Sequence, residues 1–444
     1  MCALPEGGNL NMNKYLLQER LFNLYAGMYF LSMYFFEKKN ATNKRLYQRR
    51  KVKKLLQNAY QLPIYKRKFD EAGVTPADFH SLSDLTKFPA LTKEEYRSWM
   101  QEELKTEEAK YYKTTKTSGS TGIPTTNIFP PKEYAHHYMA DFFCWWLGGY
   151  NPFFGLSMTK QPADPSVGMR SLIQRFGVLR RECFDTGWDR RKIVEKINEV
   201  KPDFITASSS ELLYIAQYIL ENDLEITRPS YFCPMGENID GRTEEILKSV
   251  YGKGLINAYG GKEMADFAVK KPGSHIYEII ESLAVVCIKD EYGQLAAKGS
   301  GSLLVTPLFR ERYPLINYEL GDYVELGERD GRDCIFRITG RCDENGVFTW
   351  KSGKQTIFIR LFNITSELKD IFQILFIQKS NEKVIIQVVK DKKTNKTIEE
   401  LEEYLRKQYK NEFDDDTVIE FEWKDIMPPD KNGKLRIMVS EIKE

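Results

Sequence analysis

Apolar positions in the first sixty residues recur at helical spacing. Leu21 to Phe36 is rich in Phe, Tyr, Leu and Met and is interrupted by Asn23, Gly27 and Ser32. It is shorter than the roughly 20 apolar residues a spanning helix needs. The pattern predicts an aromatic helix packed on the body, with a weak membrane-surface contact as the other use of such a segment. Behind it, Leu46, Leu55, Leu56, Ala59 and Tyr60 recur among Lys44, Arg45, Arg49, Arg50, Lys51, Lys53 and Lys54. The charges then form the wet face of a second helix. Leu62-Pro63-Ile64-Tyr65 reads as a turn-rich connector, and Ser83 and Thr92 are candidate helix caps before and after Phe88-Pro89-Ala90-Leu91.

From about 112 to 340 the pattern alternates. Helical stretches such as Arg190 to Val200 and Ser210 to Asn222 separate short apolar runs such as Phe204 to Ala207 and Leu255 to Ala258. That alternation predicts an α/β body. Two β-rich segments, Ser282 to Ile288 and Ser302 to Thr306, flank the turn signature Asp290-Glu291-Tyr292-Gly293. A smaller unit follows from Gly340. It reads as strand Thr356 to Ile359, helix Ser366 to Phe372, strands Ile374 to Gln378 and Val384 to Val389, helix Ile398 to Lys410 and strand Thr417 to Trp423. The Pro- and Gly-rich Met427 to Lys434 is a presented loop. The fold class is therefore α/β, with a large N-terminal domain over 1–340 and a small C-terminal α+β domain over 341–444.

Composition narrows the function. With 444 residues, 42% hydrophobic and 29% charged, the chain is an ordinary globular one, long enough for several units. A net charge of +2 gives no field that would hold it on nucleic acid. The cysteines at 2, 144, 183, 233, 287, 334 and 342 include no CxxC pair and read as free thiols of a reducing, cytoplasmic compartment. His136 and His137 are adjacent, so they lack the i, i+4 spacing that aligns two zinc ligands on a helix. Met1 to Lys14 has no leader pattern, and the sequons at Asn40, Asn363 and Asn395 carry no weight without secretion.

The densest chemical signal is Thr115-Lys116-Thr117-Ser118-Gly119-Ser120-Thr121-Gly122-Ile123-Pro124. Its glycines let backbone N–H groups close around an anion and its hydroxyls add donors, which makes a phosphate cradle. It lacks the Gly-Lys-Ser/Thr ending of a Walker loop, and Gly252-x-Gly254 and Gly299-x-Gly301 lack the third glycine of a dinucleotide fingerprint. Taken alone, such a tract is equally a flexible loop. Phe142, Phe143, Trp145, Trp146 and His137 downstream are either an acyl pocket or plain core.

The loop is followed in order by Tyr259-Gly260-Gly261-Lys262-Glu263, Tyr318-Glu319-Leu320-Gly321-Asp322, Gly340-Arg341-Cys342-Asp343 and Gly433-Lys434-Leu435-Arg436. Over residues 45–440 this series resembles the adenylate-forming acyl-CoA synthetase superfamily. Leu62 to Tyr65, Phe88 to Lys93 and Met235-Gly236-Glu237 make it similar to the phenylacetate-CoA ligase and capsular polysaccharide (CapK-type) branch.

The resemblance implies an ATP- and Mg²⁺-dependent ligase with a mobile C-terminal lid. Thr117, Ser118, Gly119, Ser120, Thr121 and Gly122 would hold the phosphates. Tyr259 and Gly260 would lie on adenine, with Gly236 and Glu237 at its edge. Glu263 would face Mg²⁺, Asp322 the ribose and Arg341 ribose or phosphate. Lys434 would be the catalytic cation and Asp343 the hinge. Thr125 stands where the wider superfamily carries lysine, and the segment after Asp343 is spaced more loosely than the superfamily's. The partners implied are a small carboxylic acid and an acyl acceptor, which is an amine or hydroxyl in the capsule type and coenzyme A in the phenylacetate type. A nucleotide-binding scaffold without turnover is the rival of another class.

Overall fold

The structure, a computed structural model, describes residues 9–116, 125–160, 174, 176–185, 187–236, 239, 241–341, 347–357, 361, 364–365, 368, 370–392, 394–425, 427 and 438–442. Helix α1 (Asn9–Glu37) leads into α2 (Ala41–Tyr60), whose first turn is closed by Asn40 accepting from the Asn43 amide. The basic face expected on α2 is largely neutralised. Lys44 pairs with Glu37 and Glu281, Arg45 with Asp333, and Lys51 and Lys54 with Glu311.

The expected connector at Leu62 is instead the start of α3 (Pro63–Glu71). Pro63 occupies N1, where a missing N–H is harmless and a fixed φ suits the helix. Thr92 caps α4 (Lys93–Glu103) in a capping box with Glu95. The earlier cap is Ser81, not Ser83, because Asp84 accepts from both the amide and the hydroxyl of Ser81.

Strands β1 (Lys113–Lys116) and β2 (Thr126–Phe129) pair antiparallel and frame residues 117–124; α5 (Pro131–Leu147) follows. Next come β3 (Ser157–Lys160), β4 (Arg181–Phe184), α6 (Arg190–Val200), β5 (Phe204–Ser208), α7 (Ser209–Glu221), β6 (Tyr231–Met235) and α8 (Gly241–Tyr251). Their four strands form a parallel sheet in the order β4-β3-β5-β6. The run Phe204 to Ala207 is buried on both sides, as a central parallel strand should be.

An eight-stranded antiparallel sheet carries the rest of the body. Its strands are β7 (Asn257–Gly261), β8 (Ala265–Lys270), β9 (Tyr277–Ile279), β10 (Ala284–Lys289), β11 (Leu295–Ala296), β12 (Gly299–Pro307), β13 (Tyr318–Arg329) and β14 (Arg332–Arg341). Their order is β11-β10-β12-β13-β14-β9-β8-β7. The turn expected at Asp290 closes with the Gly293 amide on the Asp290 carbonyl at 3.0 Å.

The C-terminal part has its own core, centred on Trp350, Phe376, Leu401, Leu405, Tyr409 and Phe413. It comprises β15 (Val347–Thr349), β16 (Gln355–Ile357), β17 (Ile371–Ser380), β18 (Lys383–Lys390), α9 (Ile398–Tyr409), β19 (Val418–Trp423) and β20 (Met438–Ser440). A four-stranded sheet runs β19-β18-β17-β20. The helix expected up to Phe372 gives way to strand at Ile371, which pairs with Lys390. The run from Ile371 to Ile377 is β-branched and aromatic, and pairing with β18 overrides its helical start. Arg242 on α8 docks this unit on the body. It donates to the Leu368 carbonyl at 3.0 Å, pairs with Asp391 at 2.8 Å and lies over Phe372.

Candidate active site

Two motifs 63 residues apart meet between β7 and the first half of β13. The Tyr259 hydroxyl donates to the Asp322 carboxylate at 2.7 Å. Asp322 is the register partner of Arg341 across β13 and β14, so the backbone alone sets the two side by side. Glu263, in the tight connection from β7 to β8, is 5% exposed, and its carboxylate accepts a long contact of 3.5 Å from the Tyr318 hydroxyl. Gly236 ends β6 with φ +79°, and a side chain there would point into open space, so this is backbone that a planar ring can approach. Gly260 is a glycine for a different reason: a Cβ would stand 2.2 Å from the Ala265 carbonyl of β8.

Thr117, Ser118, Gly119, Ser120, Thr121, Gly122, Glu237, Asp343 and Lys434 lie outside the described residues, and Arg341 is described by its backbone. The residues that flank 117–124 are described. Lys262 donates to the Lys116 carbonyl at 3.1 Å where the loop begins, and Thr125 where it ends is fully buried and accepts from Arg97. His137 of α5 contacts the Lys262 carbonyl at 3.1 Å. A carbonyl only accepts, so Nε2 carries the proton. Burial pushes His137 down to about 4, which keeps the ring neutral. Lys262 and His137 thus tie the end of β1, α5 and the β7–β8 turn together. Sequence reading missed that link, although Lys262 lies inside a motif.

The aromatic cluster on α5 is core. Phe143 and Trp146 stack at 5.5 Å and meet Phe30 and Tyr34 of α1, while Trp145 packs on Phe204. Its polar neighbour gave no sequence signal. Asp141 of α5 and Asp266 of β8 face each other, and burial together with their mutual repulsion raises the Asp141 carboxyl well above the usual range; burial takes Asp266 up to about 6. A raised carboxylate pKa means that the folded chain keeps a proton the unfolded chain releases. Stability is therefore lost as pH rises from the ordinary value near 4 through the folded value. Asp141→Asn keeps an acceptor for the Asp266 amide and removes the charge. It should stabilise the protein by on the order of 1–2 kcal/mol at pH 8 and by little at pH 4 in thermal melts.

The fold is that of solved adenylate-forming ligases. The chain superposes on 2-hydroxyisobutyryl-CoA ligase in the postadenylation state, in complex with 2-HIB-AMP, with a TM-score of 0.72 at 16% identity, covering 91% of this chain and 90% of that one. On the same ligase in the thioesterification state the TM-score is 0.60. In sequence the chain is related to CapK and to the phenylacetate-CoA ligases. Protein CapK of Staphylococcus aureus is 21% identical over 384 residues, 82% of each chain. Phenylacetate-coenzyme A ligase of Escherichia coli (strain K12) is 25% identical over 335 residues, 67% of this chain and 71% of the ligase. Residues 349–441 match the family model of the CapK C-terminal domain.

Proposed function

We propose that this protein activates a carboxylic acid with ATP and transfers the acyl group to an amine or hydroxyl, in the assembly of a cell-surface polysaccharide. The observation that carries the first half is the Tyr259–Asp322 hydrogen bond, which fixes an aromatic face and an anionic acceptor beside buried Glu263. A substrate carboxylate oxygen attacks the α-phosphorus, the bond from that phosphorus to the bridging oxygen breaks, and pyrophosphate leaves. The acceptor then attacks the acyl carbon and AMP leaves. Asp322 would take the ribose hydroxyls and Tyr259 the adenine face. Glu263 fits Mg²⁺, since that ion is commonly held by one or two carboxylates and the substrate's phosphates; when bound it neutralises phosphate charge.

The CapK C-terminal match over 349–441 supports the capsule-type reading, for which the resemblance implies an amine or hydroxyl acceptor. The phenylacetate-CoA ligase relatives favour the second reading, in which the CoA thiol attacks. In both, residues 341–444 would act as a lid turning at Asp343.

The test is exchange of labelled pyrophosphate into ATP, which should require Mg²⁺ and a carboxylic acid. Formation of ADP, or nucleotide binding without exchange, overturns the reading. Tyr259→Phe should raise the KM for ATP roughly tenfold, the scale of one hydrogen bond to a charged group. With CoA absent, amino sugars or sugar alcohols should still accept the acyl group. Transfer to CoA alone across a broad acceptor screen assigns the second reading.

A further inference from the structure

The second half of helix α1, residues 24–36, is apolar on two opposite faces. Ala26, Phe30, Met33 and Phe36 are 2–6% exposed against the body, whereas Leu24, Met28, Leu31 and Phe35 are 54–60% exposed. Steps of four, three and four residues keep the outer four on one side of the helix. A helix apolar all round is normally covered all round, and here the body covers one face.

The outer stripe continues onto a second segment. Phe153 packs edge-on against Phe30 at 4.6 Å, the Leu179 amide donates to the Phe153 carbonyl, and Arg180 donates to the Phe154 carbonyl at 3.0 Å. Phe154 and Phe176, on these paired stretches, are 72% and 78% exposed. An open apolar groove of about 390 Å³ joins the two segments, lined by Gly27, Phe30, Leu31, Tyr34, Trp146 and Phe153. Contiguous exposed apolar surface of this kind marks an interaction site.

Among the described residues, basic charges stand at its margin. Lys38 stands 4.2 Å over the Tyr34 ring, Lys132 lies over Tyr25, and Lys39 and Arg180 are exposed. Glu37, the acid at this end of α1, is drawn inward by Lys44 at 2.9 Å and Arg332 at 3.1 Å. Among the described residues no helix is long and apolar enough to cross a membrane.

We propose that this face docks the protein on an anionic lipid surface. Helix α1 lies in the plane of the interface, Leu24, Met28, Leu31, Phe35, Phe154 and Phe176 enter the acyl boundary, and Lys38, Lys39, Lys132 and Arg180 meet the headgroups. A second copy of the chain fits less well. A stable protein interface takes roughly 800 Å² per partner, and self-association would bring two basic margins together. The inference does not depend on ATP turnover.

The experiment is co-sedimentation of the full chain with phosphatidylcholine vesicles, with and without roughly a third phosphatidylglycerol. Binding should be at least about tenfold tighter to the anionic vesicles and should weaken as salt is raised. Leu31→Glu with Phe35→Glu should lower binding at least about tenfold without moving the melting midpoint. If that pair misfolds, Lys38→Glu with Arg180→Glu carries the test, and it should remove most of the preference for anionic vesicles. No vesicle binding, binding indifferent to both pairs, or a dimer in place of vesicle binding overturns the proposal.

Discussion

Lys434→Ala should slow acyl-adenylate formation by about 10² or more, the scale of losing one preorganised donor to developing charge. Transfer from a presynthesised acyl-adenylate should survive. Lys434 lies in a Pro- and Gly-rich stretch between β19 and β20, at the edge of a unit that has a core of its own. In the proposed mechanism such a cation would reach the α-phosphate in one orientation of that unit and leave it in another. Arg242 supplies the body's half of the docking, through Leu368 and Asp391. Asp343→Pro should show the opposite bias, because fixing φ and removing an N–H restricts rotation without touching the phosphates. Adenylation would persist while transfer falls. Equal slowing of both half-reactions by Lys434→Ala would mean that the lysine is structural or that the unit does not alternate.

The described part of the candidate site was legible because its signals are local. Tyr259, Glu263, Asp322 and Arg341 stand in short motifs, and strand register brings Asp322 to Arg341 without long-range help. What stayed hidden is tertiary. Nothing near Asp141 predicts Asp266 beside it, since their meeting depends on α5 packing across β8. Pro63 reads as a breaker until it is seen at N1, where the same ring favours a helix. The strand at Ile371 depends on β18 as a partner, which no window around residue 371 contains. On α1 the sequence left packing and membrane contact as alternatives. The structure separates them by face, burying Phe30 and exposing Leu31.

Arg310→Met should be among the most damaging single changes in the body. The guanidinium is fully buried, donates to the Ile128 carbonyl at 2.9 Å and to the Tyr96 hydroxyl at 3.3 Å, and lies 4.2 Å over the Phe129 ring. It also stands 3.5 Å from Glu133, a buried carboxylate that the Arg312 amide contacts at 2.6 Å. Burial raises the Glu133 carboxyl and Arg310 holds it down. Removing the cation leaves that charge buried and uncompensated, at a cost of about 3–5 kcal/mol. The cost should depend on pH with a definite sign. Without Arg310 the Glu133 pKa rises further, so the deficit is full at pH 7.5 and shrinks as pH falls toward the ordinary carboxylate range. Adding Glu133→Gln should recover part of the loss at pH 7.5, giving a favourable coupling in a double-mutant cycle. The same arginine is linked to the strands that flank residues 117–124, because Tyr96 donates to Asn127 at 3.1 Å and Asn127 to Thr115 at 3.4 Å, spanning β2 and β1. ATP affinity should therefore fall in Arg310→Met well below its melting temperature, and Glu133→Gln should not restore it. Urea melts at pH 4.5 and 7.5 decide the electrostatic half: equal losses at the two values would show that Arg310 acts by packing and hydrogen bonds alone.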